Sequence, residues 1–183
     1  MKSERSLESL LSEASLGRES AFSEFVLRTQ AALGLYISQT SGRSNVADVM
    51  QETYLSLWRS LATYQPNRSA MTWLFSIARN RSIDEYRRSI RRPPQVNIDS
   101  IGSAHPYSDG PESFFPGDLY ATLRDLDPTA RDVFVLCAVI GFSYSQVAEI
   151  VGIPLGTVRS KLHHTRQILA TAITMQDQSV KRA

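Results

Sequence analysis

The chain has 183 residues, of which 42% are hydrophobic and 21% charged, with a formal net charge of +2. Those values fit a globular protein of one ordinary domain or two small ones and exclude a chain that is basic throughout. No stretch is long and apolar enough to span a membrane, and the single cysteine, Cys137, excludes an intramolecular disulfide. Cys137 lies in the apolar run VFVLCAVI and reads as a small buried hydrophobe. Acids stand in the first fifteen residues where a signal peptide would be apolar, so a cytoplasmic location without membrane insertion is expected.

In chain order, the first four predicted elements are helices. Residues 6–15 form a short one. Residues 19–38 carry Phe22, Phe25, Val26, Leu33 and Ile37 at helical spacing, and residues 45–62 carry Val49, Met50, Leu57 and Leu61. The turn YQPNRSA separates these from a helix over residues 70–91 with Leu74, Ile77, Ala78, Tyr86 and Ile90. Residues 93–118 then hold five of the eight prolines and three of the nine glycines, and no helical period survives there. They carry Asp99, Asp109, Glu112 and Asp118 and no Lys or Arg, between blocks that are mildly basic on both sides. This is the composition of an extended acidic linker.

Beyond it, helices are predicted over residues 118–126 and 128–140, the latter with Asp127 as N-cap and Gly141 after its end. Residues 143–169 read as a helix-turn-helix. Ser143 and Gln146 have capping-box spacing, Gly152 suits the left-handed end of the first helix, and Pro154 suits the first turn of the second. In the second helix Val158, Leu162, Thr165 and Leu169 share the core face. Thr157, Arg159, Ser160, Lys161, His163, His164 and Arg166 are left for solvent or DNA. Arg159 suits bidentate pairing with guanine, and Lys161 and Arg166 suit phosphates. A basic solvated helix face fits the same pattern. No run of alternating β-branched residues appears. The expected fold is all-α: two small helical domains on a flexible tether, the C-terminal one containing the helix-turn-helix, ending in a polar tail over residues 176–183.

Two constellations stand out in the first block. The segment AMTWLFSIARNRSIDEYRRSIRR joins aromatics to a series of arginines, with Arg87, Arg88, Arg91 and Arg92 on one side of the helix and Ile83, Tyr86 and Ile90 on the other. Trp73 opens this helix beside the polar loop from Gln65 to Ser69. Aromatics beside basic residues suit single-stranded DNA, since every base has a face that stacks, and a small polar loop suits one flipped base. Core aromatics under a solvated basic face fit equally well. In the segment SNVADVMQETYLSLWRS, Asp48, Gln51, Glu52 and Leu55 share a face, with Tyr54 and Trp58 as an adjacent aromatic strip. Like charges at i, i+4 repel, so Asp48 and Glu52 imply a partner surface bearing Arg or Lys, or else a plain acidic first turn.

These pieces, in this order from about Leu7 to Leu169, resemble an extracytoplasmic-function (ECF) sigma factor, a minimal member of the bacterial sigma-70 family. The resemblance rests on Asp48–Trp58 as the polymerase-binding stretch, on Thr72–Asn80 (TWLFSIARN) as the promoter-melting stretch, and on Ser143–Ser160 as the C-terminal hallmark. Ala47, Gln65 before Pro66, and the pair His163 and His164 depart from the family's pattern. The resemblance implies a region 2 domain over residues 1–92, the linker at 93–118 and a region 4 domain over 119–175. It implies that Asp48, Gln51, Glu52, Tyr54, Leu55 and Trp58 dock on the clamp helices of the largest subunit of core RNA polymerase, while the second domain sits on the flap of the other large subunit. Asn67, Arg68, Ser69, Trp73, Arg79 and Asn80 would capture the melted minus-ten strand, with Arg87, Arg88, Arg91 and Arg92 on phosphates. The recognition-helix residues would read the duplex minus-thirty-five element. An anti-sigma factor is the further partner implied. Such a subunit is not an enzyme. No metal or cofactor is expected, since His105, His163 and His164 have only one distant cysteine for company. The competing readings are a free-standing helix-turn-helix regulator with a sensing or dimerising first domain, and a small recombinase.

Overall fold

A computed structural model describes residues 5–41, 46–91 and 117–180. Among these residues there are helices and turns and no strands. The expected linker at 93–118 lies almost wholly outside the described residues, as does Arg92.

The first domain is built from α1 (Leu7–Ser15), α2 (Glu19–Thr40), α3 (Val46–Ser60) and α4 (Ala70–Arg91). α1 and α4 begin where the sequence supplies side-chain acceptors for their orphan amides. The Ser6 hydroxyl accepts from the Ser9 amide at the start of α1. At the start of α4 the Ser69 hydroxyl accepts from Thr72, and the Glu8 carboxylate of α1 reaches over to accept from the Ala70 amide at 3.2 Å. A carboxylate there also faces the positive end of the helix dipole. One stripe of α3, made of Val46, Val49, Met50, Thr53 and Leu57, is buried against α2 and α4. Phe25, Leu33, Tyr36 and Ile37 of α2 meet Leu74, Phe75 and Ala78 of α4 in the same core. A single 3₁₀ turn, Leu61–Thr63, joins α3 to the loop before α4.

The second domain comprises α5 (Gly117–Asp125), α6 (Pro128–Phe134), α7 (Tyr144–Val151) and α8 (Leu155–Val180). The Asp127 carboxylate caps α6 at the Ala130 amide, and Pro128 occupies the first helical position. The helix expected over 128–140 is not uniform. From Val135 to Ile140 it widens into a π-helix, and the Phe142 amide donates back to the Leu136 carbonyl at 2.9 Å. Gly141, at φ 89°, turns the chain there. The helix-turn-helix forms as its sequence dictates. Ser143 and Gln146 make both bonds of a capping box, Gly152 ends α7 at φ 71°, and α8 follows directly after Pro154. Val158, Leu162, Thr165 and Leu169 are all buried. α8 continues to Val180, so Gln176 to Val180 of the expected polar tail are helical.

The two domains are not held apart as a tether alone would leave them. α7 packs on α4, and the α6–π segment packs on α2, so that one continuous apolar core runs through both halves. Phe142 meets Phe75 edge-on with ring centroids 5.0 Å apart, and Phe75 in turn meets Tyr36 at 5.4 Å. The π-turn and Gly141 deliver Phe142 to that position.

Gly152 has open space around the position a Cβ would take, so its requirement is one of backbone angle alone. Gly152→Ala is expected to lower stability by about 1 kcal/mol, the penalty of an L-residue in the left-handed region. The urea midpoint at unchanged slope measures it.

Candidate functional site

α3 presents Asp48, Gln51, Glu52, Leu55 and Trp58 to solvent on one continuous stripe. Leu55 is 44% and Trp58 38% exposed, large values for apolar side chains on a well-packed helix. Tyr54 stands behind them, half-buried, its hydroxyl 2.8 Å from that of Thr29. Phe22 of α2 supports the strip, edge-on to Trp58 at 4.8 Å and to Tyr54 at 6.5 Å. Part of the basic group expected of an outside partner is supplied from within: Arg88 of α4 lies 3.6 Å from the Glu52 carboxylate and also 3.6 Å from that of Glu85. Such exposed pairs are weak and yield readily to another partner.

The loop before α4 is held from several directions. The Tyr64 hydroxyl donates to the Arg68 carbonyl at 2.9 Å, and the Arg68 amide donates to the Gln65 carbonyl. Burial, reinforced by the Glu8 charge, pushes the Tyr64 phenol up to about 12, so it stays a donor through the ordinary pH range. The Tyr64 ring stacks on Trp73 at 5.0 Å, and Trp73 is only 8% exposed. Trp73 is therefore a floor under the loop, not an open platform on which a base can lie. Ser69 is committed to capping α4, whereas Asn67 is exposed. Asn80, Arg87 and Arg88 are also exposed. The side chains of Arg91 and Arg92 lie outside those described.

Two arginines of this region are engaged by the second domain. Arg79 donates through Nε to Asp132 Oδ2 at 2.8 Å, and Arg68 donates through Nε to Glu149 Oε1 at 2.9 Å. Tyr36 donates its hydroxyl to the other Asp132 oxygen at 2.9 Å. Desolvation dominates at Asp132 and raises its carboxyl above the usual range, while Arg79 and Tyr36 pull it back down. The Tyr36 phenol is pushed well above its ordinary value, first by burial and then by the Asp132 charge.

On α8, Arg159, Ser160, His163, His164 and Arg166 are exposed, and Thr157 and Lys161 are half-buried. Lys161 reaches Asp127 at 3.0 Å, and that hydrogen bond is the largest influence lowering the Asp127 carboxyl. His163 pairs with Gln167 at 3.1 Å.

Tyr36, Tyr64, Asp132 and Glu149 shape these surfaces, although none stands out in the sequence. Only Tyr64 carries a local signal, as the aromatic directly before the polar loop.

Residues 27–92 match the model of Sigma-70 region 2, and residues 117–169 match that of Sigma-70 region 4. The chain belongs to the sigma-70 family, in its ECF class. It is 27% identical over 172 residues to the ECF RNA polymerase sigma-E factor of Escherichia coli K12, covering 87% of this chain and 90% of the relative. It is 26% identical over 178 residues to the sigma-E factor of Haemophilus influenzae, covering 91% and 94%. Among solved structures it is similar to CnrH in complex with the cytosolic domain of CnrY, with TM-score 0.72 and 26% identity over 92% of this chain and 97% of that one. It is also similar to RpoE in complex with the anti-sigma factor NepR from Bartonella quintana, with TM-score 0.65 and 26% identity over 83% and 95%. As a sigma factor the chain is a non-catalytic subunit of RNA polymerase, which replaces the free-standing regulator and recombinase readings.

The bond from Tyr64 to the loop carbonyl gives a pH-dependent prediction. A phenol whose pKa is raised on folding contributes stability that is complete below pH 10 and lost as pH rises towards 12. Tyr64→Phe is expected to destabilise the sigma factor by about 1 kcal/mol at neutral pH, the net worth of a hydrogen bond. The difference from wild type should shrink above pH 10, vanish, and then reverse as the pH approaches that of Tyr64 ionisation in the folded protein, measured by urea denaturation across the alkaline range.

Proposed function

We propose that this sigma factor binds core RNA polymerase through the exposed stripe of α3, docking Asp48, Gln51, Glu52, Leu55 and Trp58 on the clamp helices of the largest subunit with Tyr54 as support. The observation that carries the reading is the stripe itself: two carboxylates one helical turn apart beside an exposed Leu and an exposed Trp. Apolar anchors rimmed by charge are the composition of a protein interface, and its complement is an apolar groove flanked by Arg or Lys. Glu52 would exchange its weak pair with Arg88 for that partner.

The second domain would sit on the polymerase flap and present α8 to the duplex minus-thirty-five element. Thr157, Arg159, Ser160, His163 and Arg166 would read the element, with His164 beside them and with Lys161 and Arg166 on phosphates. The first domain would capture the melted minus-ten strand with Asn67, Arg68, Ser69, Arg79 and Asn80, over a loop floor made by Trp73. Arg87, Arg88, Arg91 and Arg92 would hold its phosphates. The CnrH and RpoE structures are complexes with CnrY and with the anti-sigma factor NepR. Control by an anti-sigma factor is proposed here by that likeness, with the protein acting in the cytoplasm where polymerase and promoter are found. No helix among the described residues is long and apolar enough to cross a membrane.

Asp48→Ala/Glu52→Ala is expected to weaken binding to core RNA polymerase at least tenfold in a titration, because the facing cations lose their partners. Wild-type protein that shows no affinity for core polymerase would overturn the proposal. On promoter DNA bound to the holoenzyme, Lys161→Ala and Arg166→Ala should each reduce the salt dependence of binding by about one counterion without changing sequence preference. Arg159→Ala should instead relax preference at one base position.

A further inference from the structure

Gly17, Gly141 and Gly152 take the left-handed conformation, and in each the backbone angle accounts for the residue. Gly156 is different. It stands in the first turn of α8 without a positive φ, and nothing lies within 4 Å of the position its Cβ would take. Neither backbone angle nor packing within the chain asks for a glycine there, and glycine is the poorest helix former after proline. Leu155, beside it, is 39% exposed. We infer that the first turn of α8 belongs to the base-reading surface: Gly156 is where the duplex comes closest to the helix, and Leu155 packs on the methyl group of a thymine. This rests on the reading of α8 as the recognition helix.

Position on the helix supports both roles. Residues three, four and seven apart share a face, so Gly156 lines up with Ser160 and His163, and Leu155 with Arg159. Arg159, Ser160 and His163 are all exposed. Leu155 also falls three residues before Val158 of the buried stripe, but the core does not cover it: Val158 and Leu162 are buried and Leu155 is not. The N-terminal residues of a recognition helix are the ones that reach base edges in the major groove. A residue without a side chain at that point lets the nucleic acid come up against the helix backbone itself. Thymine is marked in the major groove by its C5-methyl group, which an apolar side chain recognises by contact. Leu155 thus adds a thymine beside the guanine that Arg159 suits, and it does so without charge.

The test uses holoenzyme assembled from the full-length protein and core RNA polymerase. Wild type first enriches duplexes from a promoter library randomised across the minus-thirty-five element, and the enriched duplex is the probe. Gly156→Ala is expected to raise the urea midpoint of the free protein, since alanine favours the helix, and to weaken holoenzyme binding to the probe at least about fivefold, the lower cost of forcing a methyl into a packed contact. Opposite signs in stability and binding mark a glycine kept for a partner outside the chain. Uracil, which lacks only the C5-methyl group, is then put in place of each thymine in turn. Wild-type binding should weaken about fourfold at one position, the worth of one buried methyl, and Leu155→Ala should bind the thymine and uracil duplexes alike. Leu27→Ala, which trims an exposed leucine of α2, should keep the uracil effect. The inference is overturned if Gly156→Ala binds the probe as tightly as wild type or lowers the urea midpoint, if no uracil weakens wild-type binding, or if the uracil effect survives in Leu155→Ala. Arg159→Ala is measured alongside. If it loses sequence preference while Gly156→Ala and Leu155→Ala behave as wild type, the inference fails and the reading of α8 stands. If wild type enriches no duplex, both fail.

Discussion

A carboxylate removed from water costs free energy unless charge and hydrogen bonds meet it inside. Asp132 is such a group, and what meets it, the Tyr36 hydroxyl and the Arg79 guanidinium, belongs to the other domain. That one requirement explains much of the arrangement. It fixes which face of α6 turns towards α2 and α4, and it keeps Phe142 over Phe75 and Glu149 of α7 beside the loop before α4. The π-helical end of the helix after Asp132 serves the same placement, since it sets where Gly141 turns the chain. π-turns of this kind are often found at functional positions.

The packing leaves some of these surfaces open and covers others. The α3 stripe and the exposed face of α8 lie outside the domain contact, so the polymerase docking and duplex recognition proposed for them would need no rearrangement. The loop before α4 and the arginines beyond it lie at the contact, where single-stranded DNA would have to enter. A sigma factor must meet polymerase before DNA is melted, and a site exposed too early would bind any polyanion nonspecifically.

Local features of the fold were legible in the sequence, and cross-domain features were not. Capping boxes, helix-ending glycines and the Asp127-Pro128 start act within a few residues, so Ser143, Gln146, Gly152 and Gly141 declared their roles directly. The core face of α8 followed from period alone. Trp73 was harder, because its sequence neighbours are polar and basic while the ring that covers it, Tyr64, is nine residues away across a turn. Glu52 suggested an external cation, and one of its partners proved to be Arg88 from the next helix. Asp132 and Glu149 carried no signal, since their partners lie 53 and 81 residues distant and follow no period. The polymerase and DNA roles of the individual side chains came from the family resemblance together with exposure, and they stand as proposals.

The measurement that tests the account most directly is amide hydrogen exchange of the full chain with and without core RNA polymerase. The account predicts slowed exchange on α3 around Asp48 to Trp58. Unchanged exchange on α3 in a polymerase complex would contradict it.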